Sequence, residues 1–341
     1  MSTLSIDRRD GVAVLTLCRP AKRNALDDAT VLRIEEFFRK PGPDVRAVVL
    51  DAEGDHFSAG LDLGELTERS TEEALEHSLM WHRVFDTIEG GRVPVVAALK
   101  GAVIGGGLEL AAAAHIRVAD PSTFYALPEG QRGLFVGGGG SVRVPRLIGA
   151  HRMADMMLTG RVLDAIEGQA VGLSHYLTDE GGARAKALEL AARIAANAPL
   201  TNFAVLQALP RIAEASPAGG LLLESLMSAV AAGSADAQER MRAFLDGRAA
   251  KVGAARPVPE RPTPAGAVPA RAVPERPTPA RSSPERAVPA RPTPARPTPA
   301  EEPTGPVAAA SPGTPGHAAS DAETTREQAP SAQDTPGKAA R

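Results

Sequence analysis

Short apolar runs alternate with amphipathic stretches through the first third of the chain. Val12 to Leu17, Val45 to Leu50 and Val93 to Leu99 are rich in β-branched and aliphatic residues and read as strands. Between the first two, Asp27 to Phe38 places Val31, Leu32, Ile34 and Phe38 at helical spacing, with Asp27 as the N-cap. Between the second and third, Thr71 to Ile88 does the same with Leu75, Leu79, Val84 and Ile88. Strands separated by helices predict βα units and parallel pairing, an α/β front half. From about Pro145 the pattern turns helical, ending in Arg184–Ala196, Leu200–Ile212, Gly220–Val230 and Ala235–Leu245. Amphipathic helices this short need a partner surface, either the first half or a neighbouring subunit.

The pattern stops at Gly253. The last 89 of 341 residues hold 20 of the 30 prolines and no Leu, Ile, Phe, Tyr, Trp, Met or Cys. Such a segment cannot offset the entropy of ordering its backbone, so 253–341 is expected to be a disordered Pro/Ala/Arg-rich tail. It repeats VPERPTPA at 258–265 and 273–280, and AVPAR at 267–271 and 287–291. Proline at this density favours an extended spacer, and a weak partner that recognises proline is its functional alternative. The expected divisions are therefore a core at 1–197, a helical region at 198–252 and the tail.

Charge narrows the partners. The whole chain carries 38 Lys and Arg against 41 Asp and Glu, a net −3. Setting aside the tail's 11 basic and 9 acidic residues leaves a core at −5, which argues against nucleic-acid binding. The single cysteine, Cys18, excludes a disulfide framework, and no metal site is expected. The first residues show no apolar leader, and no run of 18 apolar residues occurs; the expectation is a cytoplasmic protein with no membrane partner.

Three segments carry candidate chemistry: His56 to Leu63 after the second strand, Lys100 to Leu110 after the third, and Ala126 to Gly130 followed by the glycine run 137–140. The triplet Gly105-Gly106-Gly107 lies between a strand and an apolar helix. Its amides are unpaired first-turn donors at the positive end of the helix dipole, suited to a phosphate or a developing oxyanion. A second donor from the Ala59-Gly60-Leu61 turn would complete an oxyanion hole. Glu109 falls in the first turn of the same helix, and Glu129 follows 20 residues later. Two carboxylates with separated pKa values could divide the work of adding water to a conjugated double bond. Taken singly, a glycine cluster is equally a tight turn, Glu109 a dipole partner and Glu129 a loop charge.

In order and spacing, RPAKRNAL (19–26), HFSAGLDL (56–63), KGAVIGGGLEL (100–110), LPEGQRGLFVGGGGS (127–141), MADMMLTGRVLDAIEGQAVGLSHYL (153–177) and AQERMRAFLDGR (237–248) resemble the crotonase, or enoyl-CoA hydratase/isomerase, superfamily over residues 1–252. The resemblance implies a crotonase-like spiral of ββα units and a C-terminal helical region that forms a homotrimer or a dimer of trimers. It implies an acyl-CoA thioester substrate, with coenzyme A entering as part of that substrate and no separate cofactor. The thioester oxygen would be held by the Leu61 and Gly106 amides. Lys22, Arg23 and Ala25 fall where the family contacts coenzyme A, beside Ala59, and Asp62 and Leu63 where it lines the acyl or pantetheine region. Glu109 and Glu129 occupy both glutamate positions of true hydratases.

Some positions depart from the pattern. Gly137 stands where dienoyl-CoA isomerases carry an Asp eight residues after the Glu129 position, which disfavours that reaction. Val136 replaces a common Pro, and His115 a common Asp; sheet-end packing is the expected role of His115. Gly130-Gln131-Arg132 points to an unusual acyl pocket. Hydration of a trans-2-enoyl-CoA is the leading expectation; double-bond isomerisation and a tail-mediated scaffold are the alternatives.

Overall fold

The computed structural model describes residues 2–62, 64 and 69–248; Leu63 and the 253–341 tail lie outside the described residues. Strands β1 (Leu4–Arg9) and β2 (Val12–Leu17) form an antiparallel hairpin. Its turn, Asp10-Gly11, has positive φ at both residues, a two-residue geometry whose twist matches that of the flanking strands.

From β2 onward the chain winds in repeated turns. Helix α1 (Asp28–Arg39) leads to β3 (Ala47–Ala52), α2 (Thr71–Glu89) to β4 (Val95–Leu99) and β5 (Ala102–Ile104), and α3 (Gly106–Ala113) to β6 (Ile116–Ala119) and β7 (Phe124–Ala126). Helices α4 (Gly140–Ile148) and α5 (Ala150–Thr159), strand β8 (Leu163–Asp164), helix α6 (Ala165–Val171), strand β9 (Tyr176–Leu177) and helix α7 (Ala183–Ala195) complete the core. The large sheet has the order β1-β2-β3-β4-β6-β9 and is parallel from β2 on; β5, β7 and β8 form a second, small sheet. Successive turns thus add one strand to the large sheet, while short segments line up in an inner layer. In that layer Ser58 bridges Val103, and β5 pairs β7 in parallel.

Both faces of the large sheet are covered, which explains the near-unbroken apolar strands. Ala13, Leu15, Val48, Leu50, Val95 and Ala97 enter the main core. On the other face Val12, Val14, Ala47, Val49, Val96 and Val118 pack with Ala183, Ala187, Leu190 and Ala191 of α7. The expected strand at Val45–Leu50 lies two residues later, because Arg46 and Ala47 first pair with the Gly11 carbonyl in the hairpin turn. The N-cap at Asp27 is as expected, its side chain accepting from Thr30 N. On α2 the expected face is half as read: Val84 and Ile88 are buried, but its N-terminal leucines are not. Trp81, Val84, Phe85 and Ile88 are buried, whereas Leu75 and Leu79 are exposed. A helix has one core-facing stripe, and the aromatic pair in the C-terminal half sets it.

Helices α8 (Pro199–Glu214), α9 (Pro217–Ala232) and α10 (Ala235–Leu245) close the described chain. Among the described residues no single helix is long and apolar enough to cross a membrane.

Candidate active site

Parallel strands finish at the same edge of a sheet, so the segments after β3 and β4 emerge side by side. Ser58 N donates to Ala102 O at 2.9 Å, and Ile104 N to Ser58 O at 3.1 Å. Gly105 N donates to Ala126 O at 3.0 Å, which ties in β7 and the segment carrying Glu129. Three stretches far apart in sequence converge by backbone pairing alone.

Glycine makes the convergence close. Gly60 has φ +89°, and a Cβ there would lie 2.7 Å from Ile104 O and 3.2 Å from Gly106 N. A Cβ on Gly106 would lie 3.4 Å from Leu61 N and 2.9 Å from the Trp81 ring. The Leu61 and Gly106 peptides therefore meet with no side chain between them. Among the described residues neither N–H donates to a backbone carbonyl; Gly106 opens α3, where first-turn donors have no intrahelical acceptor.

Glu109, 3% exposed, is buried beside these donors. Its Oε1 accepts from the amides of Gly138 and Gly140, each at 2.8 Å. A Cβ on Gly138 would stand 3.1 Å from Glu109 Oε2, and one on Gly140 2.8 Å from Glu109 Cγ. The glycine run, which reads as a turn in the sequence, is a cradle for this carboxylate. Arg143 braces the cradle by donating to Gly138 O at 3.0 Å, and its guanidinium pairs with Glu89 at 2.7 Å and with Asp86. Ser78 Oγ donates to Gly137 O at 2.7 Å. Burial pushes the Glu109 carboxyl above its usual value, against the pull of the two amides and of nearby His82 and Arg143.

Glu129 lies opposite on the segment after β7, close enough to Gly105 that a Cβ there would stand 2.5 Å from Oε1. Its Oε2 is buried with no hydrogen-bond partner. Burial raises this carboxyl too, and the charge of Glu109 raises it further. Leu61, Gly106, Glu109 and Glu129 all line one cavity of about 330 Å³, as does Ala59.

Of the remaining sequence-predicted residues, Leu63 lies outside the described residues, and the others join the cavity through the segment paired with Ala59. Lys22 ends a 3-10 turn (Pro20–Lys22), and Arg23 follows it with φ 50°. Arg23 O accepts from Ala59 N at 2.9 Å, while Ala25 is buried. Asp62 is buried, and its Oδ2 faces Arg19 at 2.5 Å and Lys22 at 2.9 Å. Those cations and the Gly64 amide hold its carboxyl well below the usual range.

Sequence reasoning missed the residues that stitch these loops. Arg19 donates to Ala25 O at 2.7 Å, pairs with Asp27 at 3.0 Å and holds Asp62. Asn24 donates to Glu53 O and His56 O at 2.8 and 2.7 Å. Both lie in RPAKRNAL, yet the partners that tie them to the other loops, Asp62 for Arg19 and Glu53 and His56 for Asn24, are 43, 29 and 32 residues away and leave no local signal. His56 Nδ1 accepts from Ala102 N at 3.1 Å, a bracing role. His115 Nδ1 accepts from Val95 N, its Nε2 faces Glu89 O, and burial lowers its pKa, so it serves the sheet end as a neutral ring.

Comparison with known proteins identifies the family and the fold. The enoyl-CoA hydratase/isomerase family model matches residues 7–253. The chain is 33% identical over 250 residues to enoyl-CoA hydratase EchA19 of Mycobacterium tuberculosis, covering 72% of this chain and 94% of that protein. It is 31% identical over 252 residues to 2,3-dehydroadipyl-CoA hydratase of Escherichia coli, covering 73% and 97%. A solved structure from Rhodopseudomonas palustris, carrying a provisional enoyl-CoA hydratase name, superposes with a TM-score of 0.71 at 62% identity, covering 72% of this chain and 95% of that one. Fold, cavity and sequence together place the chain in the enoyl-CoA hydratase/isomerase family, with the crotonase-like fold.

Proposed function

We propose that the protein adds water, syn, across the double bond of a trans-2-enoyl-CoA to give a 3-hydroxyacyl-CoA, or runs the reverse. Coenzyme A enters as part of the substrate. One observation carries the reading: two acceptor-free amides and two carboxyls of raised pKa share one cavity.

The Leu61 and Gly106 amides polarise the thioester carbonyl and receive the enolate oxygen; losing one such donor costs about 3–4 kcal/mol of barrier. Ionised Glu109, steadied by two amides, accepts a proton from water as the water oxygen bonds to C3. Protonated Glu129 gives its proton to C2 as the enolate collapses. The water has then lost one proton to Glu109 and Glu129 one proton to C2, and transfer of a proton from Glu109 to Glu129 restores the start. The division follows the hydrogen bonding and the neighbours: Glu109 has two amides and the Arg143 cation, whereas Glu129 has an orphan oxygen and a negative neighbour that Arg132 only partly offsets. Lys22, Arg23, Ala25, Asp62 and Leu63 are the proposed coenzyme A and pantetheine side of the site, with the Lys22 ammonium held there by Asp62.

The test is a panel of 2-enoyl- and 3-enoyl-CoA thioesters with product detection. Hydrated product from the 2-enoyl set is expected. Glu109→Gln and Glu129→Gln each lower turnover by about 10²-fold or more while the Kd for a saturated acyl-CoA stays within a few-fold. Shifted double bonds without water addition would instead identify an isomerase, and normal hydration by the double Gln variant would overturn the roles.

A further inference from the structure

The α2 wall of the cavity is not built for a plain hydrocarbon chain. Arg69 lines it and is three-quarters buried, yet makes no hydrogen bond among the described residues. Among the described residues its nearest carboxylate, Asp28 Oδ2, is 3.9 Å away. Asp28 is otherwise engaged: its Oδ1 accepts from His77 Nε2 at 2.7 Å and from Trp81 Nε1 at 3.1 Å. His77 also lines the cavity, and with Nε2 held by Asp28 its second ring nitrogen has no partner among the described residues. The same lining is apolar at Trp81, Leu134 and Val136 and polar at Ser78 and Arg132, the latter set beside Glu129.

A guanidinium taken largely out of water needs acceptors, and its planar fork matches a carboxylate with two parallel hydrogen bonds. Asp28 already shares one oxygen between two donors and stands too far away to supply that geometry. An acyl group ending in a methyl would desolvate Arg69 further and leave its donors unmet. A chain ending in a carboxylate would meet them, with His77, steadied by Asp28, as a second contact.

We propose that Arg69 and His77 form a specificity site for a second carboxylate, so that the preferred substrate is an acyl-CoA whose acyl chain carries a carboxyl group at its far end. The inference rests on the acyl-CoA reading above and deepens it. The flanking aromatic and aliphatic side chains accommodate the methylenes, and the charged pair reads the terminus.

The experiment compares trans-2-enoyl-CoA thioesters of equal chain length ending in methyl, hydroxyl or carboxylate. The carboxylate member is expected to exceed the methyl member at least tenfold in kcat/KM. Arg69→Met and His77→Phe should each bring that ratio toward one, and Arg69→Lys should retain part of it. A wild-type ratio at or below one, a preference for the hydroxyl member, or a ratio unmoved in Arg69→Met would overturn the proposal. If no member is hydrated, the hydration reading fails separately. Calorimetric binding of the saturated carboxylate- and methyl-terminated analogues then decides: tighter binding of the carboxylate form that is lost in Arg69→Met sustains the site, and equal binding refutes it.

Discussion

The two glutamates differ in what surrounds them, and that difference can be measured. Glu109 is raised by burial but anchored by two amides; Glu129 is raised by burial and by Glu109 itself. Replacing Glu109 with Gln removes a negative neighbour, so the Glu129 carboxyl should titrate lower than in the wild type yet above an ordinary glutamate. The carboxyl stretch in isotope-edited infrared difference spectra reports this directly; an unmoved Glu129 would mean the two side chains are not electrostatically coupled. A carboxyl whose folded pKa is raised binds its proton more tightly in the folded state. The stability it lends is whole below the unfolded value near 4.5 and is lost as pH rises through the folded value. Glu129→Gln cannot ionise, so its Tm should exceed that of the wild type increasingly from about pH 5 upward. A Tm difference that shrinks with rising pH would show the shift to have the opposite sign.

At the scale of elements, the site depends on how closely backbones approach. Gly138 and Gly140 deliver amides to Glu109 and leave no room for a methyl group. Gly138→Ala, whose Cβ would also stand 3.0 Å from Phe85, should displace the cradle and lower kcat by about 10- to 100-fold, with a smaller change in KM. Steady-state kinetics on the 2-enoyl substrate checks this, and an unchanged kcat would show the cradle to be passive. The same closeness marks what the sequence can and cannot disclose. The strands β2, β3 and β4 are legible because both faces are covered and the apolar run is nearly unbroken. The triplet 105–107 and Glu109 are legible because the helix start that joins them is local. The cradle is not, because its meaning lies in a contact between Gly138 and a residue 29 positions earlier. Strands of two or three residues such as β5, β8 and β9 are too short to show a period, and their pairing is tertiary. The buried stripe of α2 is legible only in part, at Val84 and Ile88, for a related reason: Leu75 and Leu79 satisfy a helical period as well as Trp81 and Phe85 do, and only packing chooses between them.

For the whole molecule, the helices after α7 leave apolar surface that the described residues do not cover. Leu221, Leu222, Leu226 and Val230 on α9, and Phe244 and Leu245 on α10, are each more than half exposed. Clustered apolar surface of this kind marks an association face, and burying a leucine contributes about 1.5–3 kcal/mol. The expectation is a homotrimer or a dimer of trimers joined through these helices, with the tail at 253–341 uninvolved. Three preparations test it by analytical ultracentrifugation: the full chain, a chain ending at residue 252, and the full chain carrying Leu222→Glu with Leu226→Glu. The first two should sediment with the same number of subunits and show the same turnover per subunit. The third should fall to smaller species and unfold at a Tm that no longer rises with protein concentration, since assembly stabilises the folded state only by mass action. Assembly lost on removing 253–341 would assign association to the tail and favour a scaffold. A monomeric full chain would mean that the exposed leucines serve some other contact.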